Sequence, residues 1–190
     1  MSGEAPAKAR VAPWAAAAVG VVIAGLLAVL VLAEPGSTDD ASSPLLGRPA
    51  PEVVSTTLEG DRFDLSRRKG SWVVLNFFNS TCVPCIREHP VLVEWEASQS
   101  TAPDPVELYT IVNDDSDEAV NSFFAANGGD WPRIRDDDGA IAVAFGVAKV
   151  PETWVIDPAG FVRLRVLGEI EKGFLESRLG ELRSASGQAP

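Results

Sequence analysis

The chain has 190 residues, 46% hydrophobic and 23% charged; these ordinary globular values exclude a disordered or collagen-like chain and leave room for one domain with extras. Sixteen Lys and Arg stand against 27 Asp and Glu, a net charge of −11, so the chain offers no basic face for nucleic acid. Two cysteines and one histidine allow a single bridge, which excludes a disulfide-stapled mini-protein, and cannot alone complete a four-ligand zinc site.

Residues 1–13 are slightly basic, with Lys8 and Arg10 against Glu4. Residues 14–33, WAAAAVGVVIAGLLAVLVLA, carry no charge. As a helix rising about 1.5 Å per residue they reach about 30 Å, the thickness of a bilayer core. The run is longer than the usual signal-peptide core of about 7–15 residues, so it reads as one retained transmembrane helix. A signal peptide cleaved near Val31-Leu32-Ala33 is the alternative, and the absence of a nearby cysteine excludes a lipoprotein anchor. Basic residues before the run, and Glu34, Asp39 and Asp40 after it, keep the N-terminus in the cytoplasm and send the rest across the cell membrane. The lipid bilayer is then a partner through the anchor. Residues 34–47, EPGSTDDASSPLLG, read as a flexible linker. Residues 48–190 carry a net −9, too acidic to cling to anionic headgroups.

Residues 48–183 read as one domain and residues 184–190 as a disordered tail. Residues 53–58 and 62–65, joined at Glu59-Gly60-Asp61, form a predicted β-hairpin. Residues 72–78, WVVLNFF, are the run of a strand buried on both faces. A helix follows from Cys85 to about Ser98, with Pro90 expected to kink it. Residues 106–112 are a second buried strand. Residues 116–127 are a helix capped by Ser116 and stopped by Gly128. Residues 141–145 are a short helix ended by Gly146. Residues 153–156 and 161–167 are strands around an Asp157-Pro158-Ala159-Gly160 turn, and residues 172–182 a closing helix. A β-α-β unit followed by a hairpin and a helix implies a mixed α/β sheet with helices on both faces.

Cys82-Val83-Pro84-Cys85 lies where strand gives way to helix. A thiol at a helix N-terminus faces unpaired N–H groups and the positive end of the dipole, so its thiolate is favoured. Pro84 fits the first turn without losing a hydrogen bond. The spacing makes Cys82 the attacking and Cys85 the resolving thiol of a disulfide exchange. An inert bridge would stabilise little, because its loop is so short. Half of a zinc knuckle would lack its other half.

The CxxC at a strand–helix junction, with Val150-Pro151 opening a later strand, resembles the thioredoxin superfamily. Leu75-Asn76-Phe77-Phe78, Arg87-Glu88-His89-Pro90, and Phe145-Gly146-Val147 through Pro151-Glu152-Thr153-Trp154-Val155-Ile156-Asp157, with the anchor, narrow the resemblance. They are similar to the membrane-tethered TlpA/ResA/CcmG(DsbE)-like thiol-disulfide oxidoreductases of cytochrome c biogenesis. The resemblance covers most of residues 48–182. It implies a three-layer α/β/α fold with an N-terminal β-hairpin, a cis peptide before Pro151, and a Val150 backbone offered to an extended substrate. It implies reduction of disulfides in exported proteins, apocytochrome c among them, with electrons from a CcdA/DsbD-type membrane thiol carrier. It implies no cofactor and no metal beyond the Cys82–Cys85 disulfide.

Glu88, on the helical face of Cys85, either relays the proton of the second thiol or is a solvated surface residue paired with a cation. Asn76 either marks the cytochrome-biogenesis group or is a buried amide satisfied by backbone. Glu152 resembles the Glu of a substrate-facing segment and is expected near the CxxC. Thr81 departs from the Trp usual before the first Cys, which leaves substrate preference and potential open. His89 reads as structural, and Asp136-Asp137-Asp138-Gly139 as a turn into a helix rather than a calcium loop, since Val147 stands where a Glu ligand is needed. An oxidant or isomerase on the same fold is the main rival. A thiol peroxidase is disfavoured by Asn79 and Leu75 at the positions that need Thr or Ser and Pro, and a copper module by the cysteine spacing.

Overall fold

The computed structural model describes residues 12–32 and 39–187; the readings for residues 1–11, 33–38 and 188–190 fall outside them. The chain divides into two units, Met1–Ser37 and Thr38–Pro190. In the first, helix α1 spans Ala12–Leu32, with side chains described for residues 16–26. Among the described residues no helix is long and apolar enough to cross a membrane.

In the second unit the chain forms β1 (Asp39–Asp40), β2 (Val54–Thr56), β3 (Arg62–Asp64), a 3-10 turn at Leu65–Arg68, β4 (Val73–Phe78) and α2 (Val83–Gln99). There follow β5 (Glu107–Val112), α3 (Asp117–Asn127), β6 (Arg133–Arg135), α4 (Ala140–Phe145), β7 (Glu152–Ile156), β8 (Val162–Leu167) and α5 (Phe174–Ala185). The main sheet has the order β1-β8-β7-β4-β5-β6, and β2 and β3 pair separately. β4, β5 and β6 run parallel, and β7 returns antiparallel to β4. The sheet is therefore mixed, and β4, whose six residues are all buried, lies inside it because its apolar run tolerates no solvated face.

Strand alternation divides the core into two layers. Val74, Phe78, Leu108, Val112 and Val155 pack with Leu92 and Trp95 of α2, Val120 and Phe124 of α3, and Leu175 and Leu179 of α5. Val73, Leu75, Phe77, Ile111, Trp154 and Ile156 face the other way, onto Ile141 and Phe145 of α4 and Val53 and Phe63 of the hairpin. Each large apolar side chain so buried contributes roughly 1.5–3 kcal/mol. This is the three-layer α/β/α arrangement, hairpin included, that the sequence implies.

Caps set the helix ends. Ser116 Oγ accepts from Ala119 N–H at 3.2 Å to start α3, and Gly128, at φ +80°, ends it. The carboxylate of Asp136 accepts from Ile141 N–H at 2.8 Å and Ala142 N–H at 2.9 Å, so this acidic run is the start of α4. α2 continues through Pro90 as one helix.

Three boundaries differ from the sequence reading. β6 has no counterpart among the predicted elements: only Ile134 of its three residues is apolar, and its partner is the edge of β5. Residues 39–47 are not a free linker. Asp39 pairs with Leu167 and Asp40 with Val166, Ala41 N–H donates to Arg165 at 3.0 Å, and Leu45 packs on the core. β8 otherwise presents an unpaired edge, and main-chain bonds cover it whatever side chains the segment carries. The domain thus begins near residue 39 rather than 48. At the other end α5 runs to Ala185, taking in the start of the expected tail.

Candidate active site

β4 ends at Phe78, and the turn that follows delivers Cys82 to the N-cap of α2. Cys82 and Cys85 form a disulfide with Cα atoms 5.2 Å apart. Cys82 is half-buried and Cys85 is fully buried. Cys82 Sγ accepts from Cys85 N–H at 3.3 Å, the sulfur standing where a capping oxygen usually stands. That N–H and the positive helix end favour negative charge on this sulfur in the dithiol form. Pro84 sits half-buried in the first turn, while Val83 and Ile86 present exposed apolar surface, 60% and 40% accessible.

The Val150–Pro151 peptide bond is cis. Pro151 is buried and Val150 half-buried. The Val150 carbonyl oxygen lies 3.5 Å from Cys82 Sγ. The fold thus brings the distant proline loop against the attacking end of the CxxC.

Glu88, one helical turn beyond Cys85, is 1% exposed. It is therefore not the solvated surface residue of the second reading. Oε1 accepts from Asn76 Nδ2 at 2.8 Å, and Oε2 from the Ile170 N–H at 2.9 Å. No cation pairs with it among these contacts, and burial pushes its pKa up to about 7, with Glu169 adding a smaller push and the two hydrogen bonds opposing. A carboxyl beneath a CxxC that titrates near neutrality is equipped to take up or release a proton. Asn76 is buried, and side chains rather than backbone take up its amide N–H groups: Nδ2 also donates to Thr153 Oγ1 at 3.0 Å. Asn76, Thr153 and Glu88 form one buried polar chain between β4, β7 and α2.

Glu152 does not join this group. Alternation along β7 turns Thr153 toward α2 and Glu152, with Trp154, to the opposite face. There Glu152, 1% exposed, holds Arg165 through Oε1–Nε at 2.7 Å and Oε2–Nη2 at 3.2 Å. Its carboxylate is thus engaged in a buried ion pair with Arg165. His89 is also structural: its Nε2 donates to Gly128 O at 2.8 Å, its ring packs among Phe78, Phe123, Phe124 and Trp131, and burial lowers its pKa. Thr81 is exposed at the rim.

Sequence reasoning missed three contributors. The Ile170 N–H comes from a loop 82 residues beyond Glu88, with no local signal. Asn79 and Asp115 tie the Cys82 turn to the loop after β5; the polar Asn79 close before the motif was the one local trace. Among the described residues no cluster of three or more His, Cys, Asp or Glu is placed to hold a metal ion.

Known proteins bear on this geometry. Residues 46–165 match the AhpC/TSA family. The chain is 33% identical over 137 residues to the thiol-disulfide oxidoreductase ResA of Bacillus anthracis, covering 72% of this chain and 78% of that protein. It is 30% identical over 141 residues to the thiol:disulfide interchange protein HelX of Rhodobacter capsulatus, covering 73% and 77%. Among solved structures, that of MTB dsbF in mixed oxidised and reduced forms superposes with a TM-score of 0.63 at 26% identity, over 70% of this chain and 98% of that one. With its disulfide at the start of α2 and its thioredoxin-like mixed sheet, the chain belongs to the AhpC/TSA family and, within it, to the ResA- and DsbE-like thiol-disulfide oxidoreductases.

Proposed function

We propose that this oxidoreductase works as a reductant of protein disulfides outside the cytoplasm, tethered to the cell membrane by residues 14–33. The observation that carries the reading is the unequal pair, half-buried Cys82 against the Val150 carbonyl and fully buried Cys85 one helical turn before the buried Glu88. Only Cys82 is open to a bulky substrate, so it attacks first.

The dithiol form starts the cycle. The Cys82 thiolate attacks one sulfur of a substrate disulfide, and the other substrate sulfur leaves as a thiolate that takes up a proton. The substrate strand adjoining the mixed disulfide lies along Val150, whose main chain pairs with it, while Val83, Pro84 and Ile86 offer apolar contact. Cys85 then loses its proton to ionised Glu88 and attacks Cys82 Sγ. The second substrate thiolate is released and protonated, Glu88 returning the proton through the site. Two electrons have passed to the substrate and the chain is left with the Cys82–Cys85 disulfide. No other cofactor is required, since that bond itself carries the electrons. A dithiol donor must reset it, and for a domain outside the cytoplasm a CcdA/DsbD-type membrane carrier fits. The family resemblance favours exported proteins, with apocytochrome c among them, as substrates. Asn76, which holds Glu88 in place, is a positioning residue.

The test is trapping in cells. Cys85→Ser should accumulate mixed disulfides with exported proteins, and Cys82→Ser should accumulate none and abolish turnover. A Cys85→Ser chain that traps no exported protein would contradict this mechanism.

A further inference from the structure

The turn before Cys82 is held by one side chain more completely than a connecting loop requires. The Asn79 carboxamide has two donor and two acceptor positions, and all four are filled. Its Nδ2 donates to Asn113 O at 3.0 Å and to Asp114 O at 2.7 Å. Its Oδ1 accepts from Thr81 N–H at 2.9 Å and from Thr81 Oγ1 at 2.7 Å. The Asn79 carbonyl accepts from Cys82 N–H at 3.1 Å, so the same residue closes the turn that presents the sulfur. Beside it, Asp115 accepts from Ser80 N–H at 2.6 Å and Ser116 N–H at 2.8 Å. The facing loop carries a conformational cost: Asp114, at φ +49°, is a non-glycine residue with positive φ. Such a conformation persists where its surroundings over-determine it, and such positions cluster at functional sites. Here the determinant is the bond from Asn79 to the Asp114 carbonyl.

We infer that Asn79 is a positioning residue that latches the Cys82 turn to the loop after β5 and so holds Cys82 Sγ over the Cys85 N–H. Two constraints act on the turn. The bonds to Thr81 shape it locally, as an Asx turn does. The bonds to residues 113 and 114 fix it to the end of β5, whose neighbour β4 is a rigid central strand. Together they take the place of a large aromatic side chain at the rim, since Thr81 is small and spends its hydroxyl on Asn79. The latch matters for exchange because the sulfur gains from the helix end only while it is aimed at the Cys85 N–H. A turn free to swing leaves the thiolate in water with less stabilisation.

This inference rests on the reading that Cys82 is the attacking thiol. The experiment uses the reduced full chain, alkylated with iodoacetamide at pH 6 and mapped residue by residue, for wild type, Asn79→Ala and Asn79→Ser. Serine can accept from Thr81 N–H but is too short to reach residues 113 and 114, so it separates the local turn from the cross-loop latch and offers a second chance of a folded variant. Both variants should alkylate Cys82 about three- to tenfold more slowly than wild type, because less of it is thiolate at that pH. A merely structural loosening predicts the opposite, faster alkylation of both cysteines as they become exposed. Wild-type rates in both variants, a wild-type rate in Asn79→Ser, or faster alkylation overturns the latch. Cys82→Ser, assayed for disulfide reduction in parallel, distinguishes the two failures: retained turnover sinks the attacking role of Cys82 and the latch with it, whereas lost turnover with unchanged alkylation of the Asn79 variants sinks the latch alone.

Discussion

Replacing Glu88 by Gln removes a titrating group while leaving the buried chain intact. The carboxyl is raised from 4.5 to about 7, chiefly by burial. A group whose folded pKa lies above its unfolded one stabilises the fold fully below the unfolded value, and that contribution is lost as pH rises through the folded value. For Glu88 the window is therefore 4.5 to about 7. At about 1.4 kcal/mol per unit, the loss between pH 5 and pH 8 comes to roughly 2–3 kcal/mol. Glutamine stays neutral throughout. Its oxygen can accept from Ile170 N–H, and if the Asn76 amide turns over, Asn76 Oδ1, which has no hydrogen-bond partner among the described residues, can accept from the new amide. Guanidinium unfolding of the disulfide form, followed by tryptophan fluorescence, should then show Glu88→Gln gaining roughly 2–3 kcal/mol on wild type from pH 5 to pH 8. Its turnover should fall about tenfold or more, because an amide cannot take the Cys85 proton. A stability difference that does not change with pH would refute the buried, neutral-titrating carboxyl and the proton relay built on it.

Arg165→Met should cost about 3–5 kcal/mol, since it strands the buried Glu152 charge. It also removes the bond from Arg165 to Ser42 O, so hydrogen exchange at the Ala41 amide should speed up. His89→Leu should cost about 1–3 kcal/mol at pH 7, where Gly128 O loses its donor. Because the folded pKa of His89 is lowered from 6.5, its neutral ring stabilises the fold above that value and less as pH falls through the folded one. The cost of His89→Leu should therefore shrink toward pH 5, and a cost that grows there would contradict the buried neutral ring.

What could be read from the sequence follows the strength of local signals. The apolar run of β4, the Ser116 cap and the turn at Asp157–Gly160 each carry their own chemistry, and the CxxC at the start of α2 needed only its place after β4. β1 and β6 escaped because their pairing is main-chain work at a sheet edge: two aspartates and an Arg-Ile-Arg carry no period. The face that Glu152 takes was legible, because Asn76, Thr153 and Glu152 sort onto faces by simple alternation from Phe77 and Trp154, but its partner Arg165 was not. The partner of Glu88 was not legible, since Ile170 contributes only a backbone N–H from a remote loop. Nor was Asn79, whose role depends on where residues 113 and 114 turn.

The direction of electron flow is best tested by the reduction potential of the Cys82–Cys85 pair, measured at pH 7 by equilibration with dithiothreitol or glutathione. A reductant predicts a value near or below that of thioredoxin, about −270 mV. A value near that of a strong oxidant, about −120 mV, would contradict the account and assign the chain to disulfide formation in exported proteins.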